Sequence, residues 1–330
     1  MTRTVTRRQF LATGFAVALP FRASAQGLRK VTIGLTSSSI AAAGPRLAKE
    51  LGLFEKNGLD AVITSMDNSS VATMAMMSGS LDFAATAPTD VVVSRARGQD
   101  VVAILSVYSG FAGTLVLSKA VVEKSGISPA APFAERMKLV DGLIIATPSA
   151  TSTYTFTLKP SAESAGAKPR FSYLAQPAMV AALDTGAIQG FLAGAPFYVQ
   201  AAVRGSGIIW ASGPKGDFPK ANTPANAVTL NAKREFAQSN PELIAKMNSV
   251  FSDLAKIAEE KPAEFKQAIA RAFPDIDGPT LDLLFDSESL GFKAKPLTVD
   301  DMAREVAYIK ASGTALPGGD KLDVSSMLFR

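Results

Sequence analysis

The chain has 330 residues, 47% of them apolar, with no cysteine, no histidine and a formal net charge of +5. The lack of cysteine excludes a disulfide framework, a thiol nucleophile, a thiolate metal site and a lipid-attachment thiol. The lack of histidine excludes Ser-His-Asp and Cys-His catalysis and His-based zinc sites, so neither a metal nor a cofactor is expected.

Residues 1–25 read as an export signal: three arginines, the apolar stretch FLATGFAVALPF, and Ala23-Ser24-Ala25 as a small-residue cleavage site. The apolar stretch is shorter than the about 20 residues that span a bilayer. Thr6-Arg7-Arg8-Gln9-Phe10-Leu11 fits the twin-arginine pattern; the alternative is an ordinary secretory signal with an adjacent arginine pair. Arg3, Arg7, Arg8 and Arg22 leave with the signal and no acid does, so the net charge falls from +5 to +1. No electrostatic case for nucleic acid or a membrane surface remains, and a free, unanchored periplasmic protein is expected.

From residue 30 the pattern alternates strand-like and helical runs. KVTIGL precedes a helix through Leu47, Leu51 and Phe54; LDAVIT precedes a helix through VATMAMM; LDFAAT comes next. Gly52, Gly58 and Gly79 stand where helices stop, and the alternation predicts βαβ units with a mainly parallel sheet. VVAILSVYSGFAGTLVLS, residues 101–118, is long enough to raise the question of a membrane span, but its polar, Gly-containing centre predicts two strands instead. The same order then returns as GLIIAT, a helix, PRFSYLA, a helix through AMVAALDTG, and AIQGFLA. SGSLDFAATAP (78–88) and TGAIQGFLAGAP (185–196) are similar units, pointing to two related α/β lobes. Beyond residue 230 helices dominate, one from Pro241 to Lys261, one from Pro262 and one after Thr298.

Ligands of open parallel sheets bind beyond the carboxyl ends of the strands, where helix N-termini present unpaired N–H groups. The corresponding turns here are rich in hydroxyls: TSSSIAAAGP, SMDNSSVAT and ATAPTD in the first lobe, TPSATSTYTF and LAGAPFYV in the second. Candidate ligand-binding residues are therefore Ser38, Ser39, Asn68, Thr86 and Thr89 on one side and Ser149, Thr151, Ser152 and Thr153 on the other. Helix capping alone is the competing explanation. Tyr108 and Phe197 are candidate aromatic walls, with core packing as their alternative. Arg46, Arg95 and Lys159 read as solvated helix-face charges. Hydroxyls and helix ends suit sulfonates, nitrate, carboxylates and neutral polar ligands such as pyrimidines alike.

Residues 47–104, with A-K-x-x-G-L-F-x-x-x-G-L-D and A-x-x-S-G-x-x-D-F-A, resemble the first lobe of the substrate-binding proteins of nitrate, sulfonate and taurine-type ABC transporters. MVAALDTGAIQGFLAGAPF matches the second lobe more loosely, with Gln189 where the family usually has an acid and the first lobe keeps Asp82. The resemblance implies an α/β, two-lobe periplasmic binding protein fold of type II, a hinge and an interlobe ligand cleft. Residues 26–108 and part of 228–330 would form lobe 1, residues 115–210 lobe 2, with crossings at 106–114 and 211–227 and a largely helical packing region over 230–330. It implies a monomeric solute-binding component that captures a small, anionic organic molecule and delivers it to an ABC permease with its ATPase. A ligand sensor for a signalling receptor uses the same site. An enzyme would need Ser212 and Lys215, matching S-x-x-K, although Pro214 fits a helix poorly.

Overall fold

The structure, a computed structural model, describes Met1 and residues 27–36, 39–66, 68–292, 295–313, 315–318 and 322–330. The export-signal segment after Met1, Ser37 and the candidate Ser38 lie outside the described residues.

Ten strands form two five-stranded sheets. The strands are β1 (Arg29–Leu35), β2 (Leu59–Ser65), β3 (Phe83–Thr86), β4 (Val101–Ser109), β5 (Thr114–Ser118), β6 (Ile144–Thr147), β7 (Arg170–Tyr173), β8 (Gly190–Ala193), β9 (Gly207–Ser212) and β10 (Asn226–Lys233). The first sheet has the order β2-β1-β3-β10-β4 and the second β7-β6-β8-β5-β9. In each, the three strands of the βαβ units are parallel. The other two strands are antiparallel to their neighbours. The sheets are therefore mixed, because each lobe receives one strand from a chain that has visited the other. The passages between sheets run from Ser109 to Thr114 and from Ser212 to Asn226. The central strands β3 and β8 are buried along their whole length, which suits their apolar, small-residue sequences FAAT and GFLA.

The helices of the two lobes are α1 (Gly44–Glu50), α2 (Leu53–Lys56), α3 (Ser69–Met77), α4 (Pro88–Ala96), α5 (Lys119–Ser125), α6 (Phe133–Lys138), α7 (Thr153–Glu163), α8 (Gln176–Asp184) and α9 (Phe197–Val203). The C-terminal set comprises α10 (Arg234–Ser239), α11 (Pro241–Glu260), α12 (Pro262–Ala272), α13 (Gly278–Glu288) and α14 (Val299–Ala311). Gly79 (φ 84°) and Gly186 (φ 74°) close α3 and α8 in the left-handed region, where a side chain would be strained. The polar residue three positions beyond each glycine is also equivalent. The Asp82 carboxylate accepts from Thr32 N (2.8 Å) in β1, and Gln189 Oε1 accepts from Ile144 N (2.9 Å) at the start of β6. The amide thus does in lobe 2 what the acid does in lobe 1.

The C-terminal helices hold both lobes. α11 and α12 pack on α1, α13 packs on α9, and α14 lies against both α4 and α7. The capping box of Thr298 and Asp301 starts α14, and buried Tyr308 on it bonds Thr157 Oγ1 of α7 (2.7 Å). Lobe 2 has its own apolar core around the single tryptophan, Trp210, fully buried on β9, whose Nε1 donates to Arg136 O (2.8 Å). Among the described residues, no helix is long and apolar enough to cross a membrane, and no group of acids could hold a metal ion.

Candidate functional site

A cavity of about 290 Å³ lies between the lobes, at the carboxyl ends of the parallel strands of both sheets. That volume is at the small end of the range for ligand pockets. Its lining includes Asn68, Ala87, Ser152 and Ala175, the residues preceding α3, α4, α7 and α8. Four helix N-termini, two from each lobe, therefore face one space. First-turn amides have no intrahelical partner, and each helix end carries about half a positive charge. Pro88 and Pro177 bring no N–H, and the Val71 and Thr155 amides are taken by the Asn68 and Ser152 caps, so the wall offers the remaining amides together with its hydroxyls.

The lobes meet beside it. Ile40 N in the first lobe donates to Ala195 O in the second (2.8 Å). At Gly194 a Cβ would come within 3.1 Å of both Ser39 Cβ and Tyr154 Oη, so the close approach depends on that glycine.

Of the sequence-derived candidates, Ser39, Asn68, Thr89, Ser149, Thr151, Ser152 and Thr153 line the cavity. They do different things there. Asn68 Oδ1 caps α3 by accepting from Val71 N (3.1 Å). Ser152 caps α7, accepting from Thr155 N (3.3 Å) and donating to Ser149 O (2.9 Å), while Thr147 and Thr155 bond each other (2.6 Å). Much of the hydroxyl cluster over residues 147–155 thus builds its own turn. The hydroxyls of Ser149, Thr151 and Thr153 line the cavity and make no side-chain hydrogen bond to another described residue.

Three candidates fall elsewhere. Thr86 is fully buried beneath the wall, where its hydroxyl accepts from Asn231 Nδ2 (2.9 Å). Tyr108 is buried behind it, its hydroxyl donating to Glu288 (2.6 Å) and its ring edge-on to Phe292. Phe197 starts α9 and is buried in the apolar core. Each is fixed by tertiary packing that strand-end position alone does not reveal. Ser212 and Lys215 form a turn in which Lys215 N donates to Ser212 Oγ (3.4 Å) with the lysine exposed; no hydrogen bond joins the lysine ammonium to the serine hydroxyl among the described residues.

The cavity also contains residues not singled out from sequence: Thr36, Ser69, Tyr154, Gln176, Phe111 and Asp90. Thr36 and Ser69 share a hydroxyl hydrogen bond of 2.5 Å. Gln176, at the start of α8, is held by Gly194 N donating to its Oε1 (2.8 Å). Tyr154 packs on Phe111, and burial, aided by the Glu288 charge, holds its phenol above the usual range, so it is a donor at any physiological pH. Asp90, in the first turn of α4, is pushed up to about 6 by burial, with the Ser69 and Thr86 hydroxyls and the Ala87 amide acting in the opposite direction. Its Oδ2 is sealed from solvent with no hydrogen-bond partner among the described residues. Arg46 reaches the wall only through Ser65, to whose Oγ it donates (2.9 Å). TPSATSTYTF does not set Tyr154 apart from its hydroxyl-bearing neighbours until the start of α7 is known, and the depth of Asp90 has no local signal.

This architecture is the two-lobe periplasmic binding protein fold. The chain belongs to the NMT1-like family, whose model matches residues 24–273. Among solved structures it is similar to the periplasmic aliphatic sulphonate-binding protein SsuA of Escherichia coli (18% identity, 91% of this chain and 97% of that one, TM-score 0.69). It is similar as well to the alkanesulfonate-binding protein SsuA of Xanthomonas axonopodis pv. citri bound to MOPS (17%, 91% and 98%, TM-score 0.68). The periplasmic nitrate-binding protein NrtA of Synechocystis PCC 6803 is a third such structure (14%, 91% and 87%, TM-score 0.64). None of the curated proteins matches the chain.

Proposed function

We propose that the protein is the solute-binding component of an ABC importer, capturing a small polar molecule in the interlobe cavity and presenting it to a permease outside the cytoplasm. The observation that carries this is the convergence of four helix N-termini, two from each lobe, on one small cavity. Such a wall holds an acceptor group, whether sulfonate, carboxylate, nitrate or carbonyl, by amide and hydroxyl donors without a cationic side chain. Because the donors come from both lobes, a ligand stabilises the closed arrangement over the open one. Membership of a family with structural relatives that bind sulfonates and nitrate supports the same reading.

The test is a thermal-shift and calorimetric screen of small sulfonates, carboxylates, nitrate and pyrimidines against the purified protein. A ligand at about 100 times Kd adds about 2.7 kcal/mol to native stability. A bound ligand whose affinity is unchanged when Thr153 and Tyr154 are replaced by Ala and Phe would place its site elsewhere. Release of a chemically altered product would replace transport by catalysis.

A further inference from the structure

A site built only for an anion has no use for a carboxylate. Asp90 nevertheless lines the cavity, and it is the one charged side chain among the described lining residues. Its placement in the first turn of α4 has an ordinary explanation, since an acid there complements the helix end. That explanation does not require the carboxylate to line a cavity, whereas Asp90 does so half-buried, with Oδ2 enclosed by protein and the side chain still part of the wall. A carboxylate in a partly dry site accepts hydrogen bonds more strongly than one in water, and the Ser69 and Thr86 hydroxyls bring only neutral donors to it, so a ligand group bearing N–H or positive charge is favoured beside it. Burial raises the group only to about 6, so near pH 7 it is mainly ionised and able to accept.

We propose that Asp90 is a specificity-determining residue, and that the ligand carries an N–H donor, as an ammonium, an amidinium or an N–H-bearing heterocycle, in addition to its acceptor end. This rests on the cavity being the ligand site. The acceptor end lies against the amides and hydroxyls of α7 and α8, with Thr153 and Tyr154 at hand. The N–H end turns to the α3 and α4 side, where Asp90 and Ser69 stand together. The two ends are therefore sorted by lobe: closure brings a donor wall and an acceptor group to opposite sides of one molecule. Bare anions meet the Asp90 charge instead, which disfavours them relative to ligands of mixed polarity.

The experiment measures binding of matched probe pairs that differ in one amino group: taurine and ethanesulfonate, β-alanine and propionate, 4-aminobenzoate and benzoate. A hydrogen bond to a charged acceptor corresponds to about tenfold or more in Kd, so the amino member of any pair that binds should lead by that factor. In Asp90→Asn the lead should fall to within about threefold, with the bare member unchanged or tighter. Asp90→Ser, which shortens the side chain as well, should lose the preference in the same way. Circular dichroism and melting temperature establish that both variants fold. Equal affinity within each pair, or a preference that survives both substitutions, overturns the proposal while leaving the cavity a ligand site. Binding of no probe by the folded wild type counts against the donor-lined cavity reading on which the proposal stands.

Discussion

Tyr108 at the end of β4 and Tyr198 on α9 belong to different lobes, and both donate to the same buried carboxylate, Glu288 on α13, at 2.6 and 2.8 Å. Burial pushes that carboxyl up to about 7, against the two tyrosine hydrogen bonds that favour its charged form. The folded state therefore holds the Glu288 proton more tightly than the unfolded chain, whose glutamate titrates near 4.5. Stability from this group is fully present below about pH 4.5 and declines as pH rises through about 7. Glu305, raised to about 8 by burial, acts in the same direction. Denaturant titrations should show unfolding free energy falling between about pH 5 and 8. Glu288→Gln should remove part of that slope and stabilise the protein at pH 8 by about 1–3 kcal/mol. Equal slopes for wild type and variant would remove Glu288 from the account.

Ser152 and Thr151 are neighbours with separable roles. Ser152→Ala deletes the α7 cap and the bond to Ser149 O, and should cost about 1 kcal/mol of stability. Thr151 is exposed at the cavity mouth, so Thr151→Ala should stay within about 0.5 kcal/mol while weakening any ligand that uses its hydroxyl. Chemical denaturation beside calorimetric titration of the two variants separates these effects.

Gly194 sits where the lobes come closest, and a side chain there meets Ser39 and Tyr154 at once. Gly194→Val should hold the cleft apart. Small-angle scattering of the variant should give a larger radius of gyration, with a weaker ligand response and little change in secondary structure. An unaltered radius with full affinity would mean that the seam yields without opening.

Gln189→Ala removes the acceptor for Ile144 N at the start of β6. Leaving that strand-start amide without its side-chain partner should cost about 1–2 kcal/mol, and Gln189→Glu should retain most of the bond. Urea unfolding of the three proteins tests the equivalence with Asp82.

The parallel strands were legible because short β-branched runs sit beside glycines that close the preceding helices, and the repeat around Gly79 and Gly186 carried the two-lobe design. The helices starting at Pro241, Pro262 and Val299 were legible from their prolines and the Thr298 cap. Helix α13 was not singled out: GPTLDLLFDSE buries only Thr280, Leu284 and Glu288 and lacks a clear apolar stripe. Hydroxyls at strand ends located the cavity but not the division of labour within it. Ser152 and Thr153 are adjacent in a polar run, and only the helix start makes one a cap and leaves the other on the cavity wall. Tyr108 failed as a wall residue because its partner, Glu288, lies 180 positions along the chain, a relation no local pattern carries. Asp90 was missed because an acid in a first helical turn is ordinary until the protein closes over it.

The single tryptophan gives the molecule an uneven optical character. Trp210 is sealed in the core of lobe 2, tied to Arg136, and absent from the cavity wall. Its emission will therefore report whether that lobe is intact and stay nearly silent when the cleft fills or shuts. A fluorescence assay that finds no response to a compound would be reading the wrong half of the protein, whereas a dye on a cysteine introduced at Thr151, in a chain with no other thiol, would watch the entrance itself.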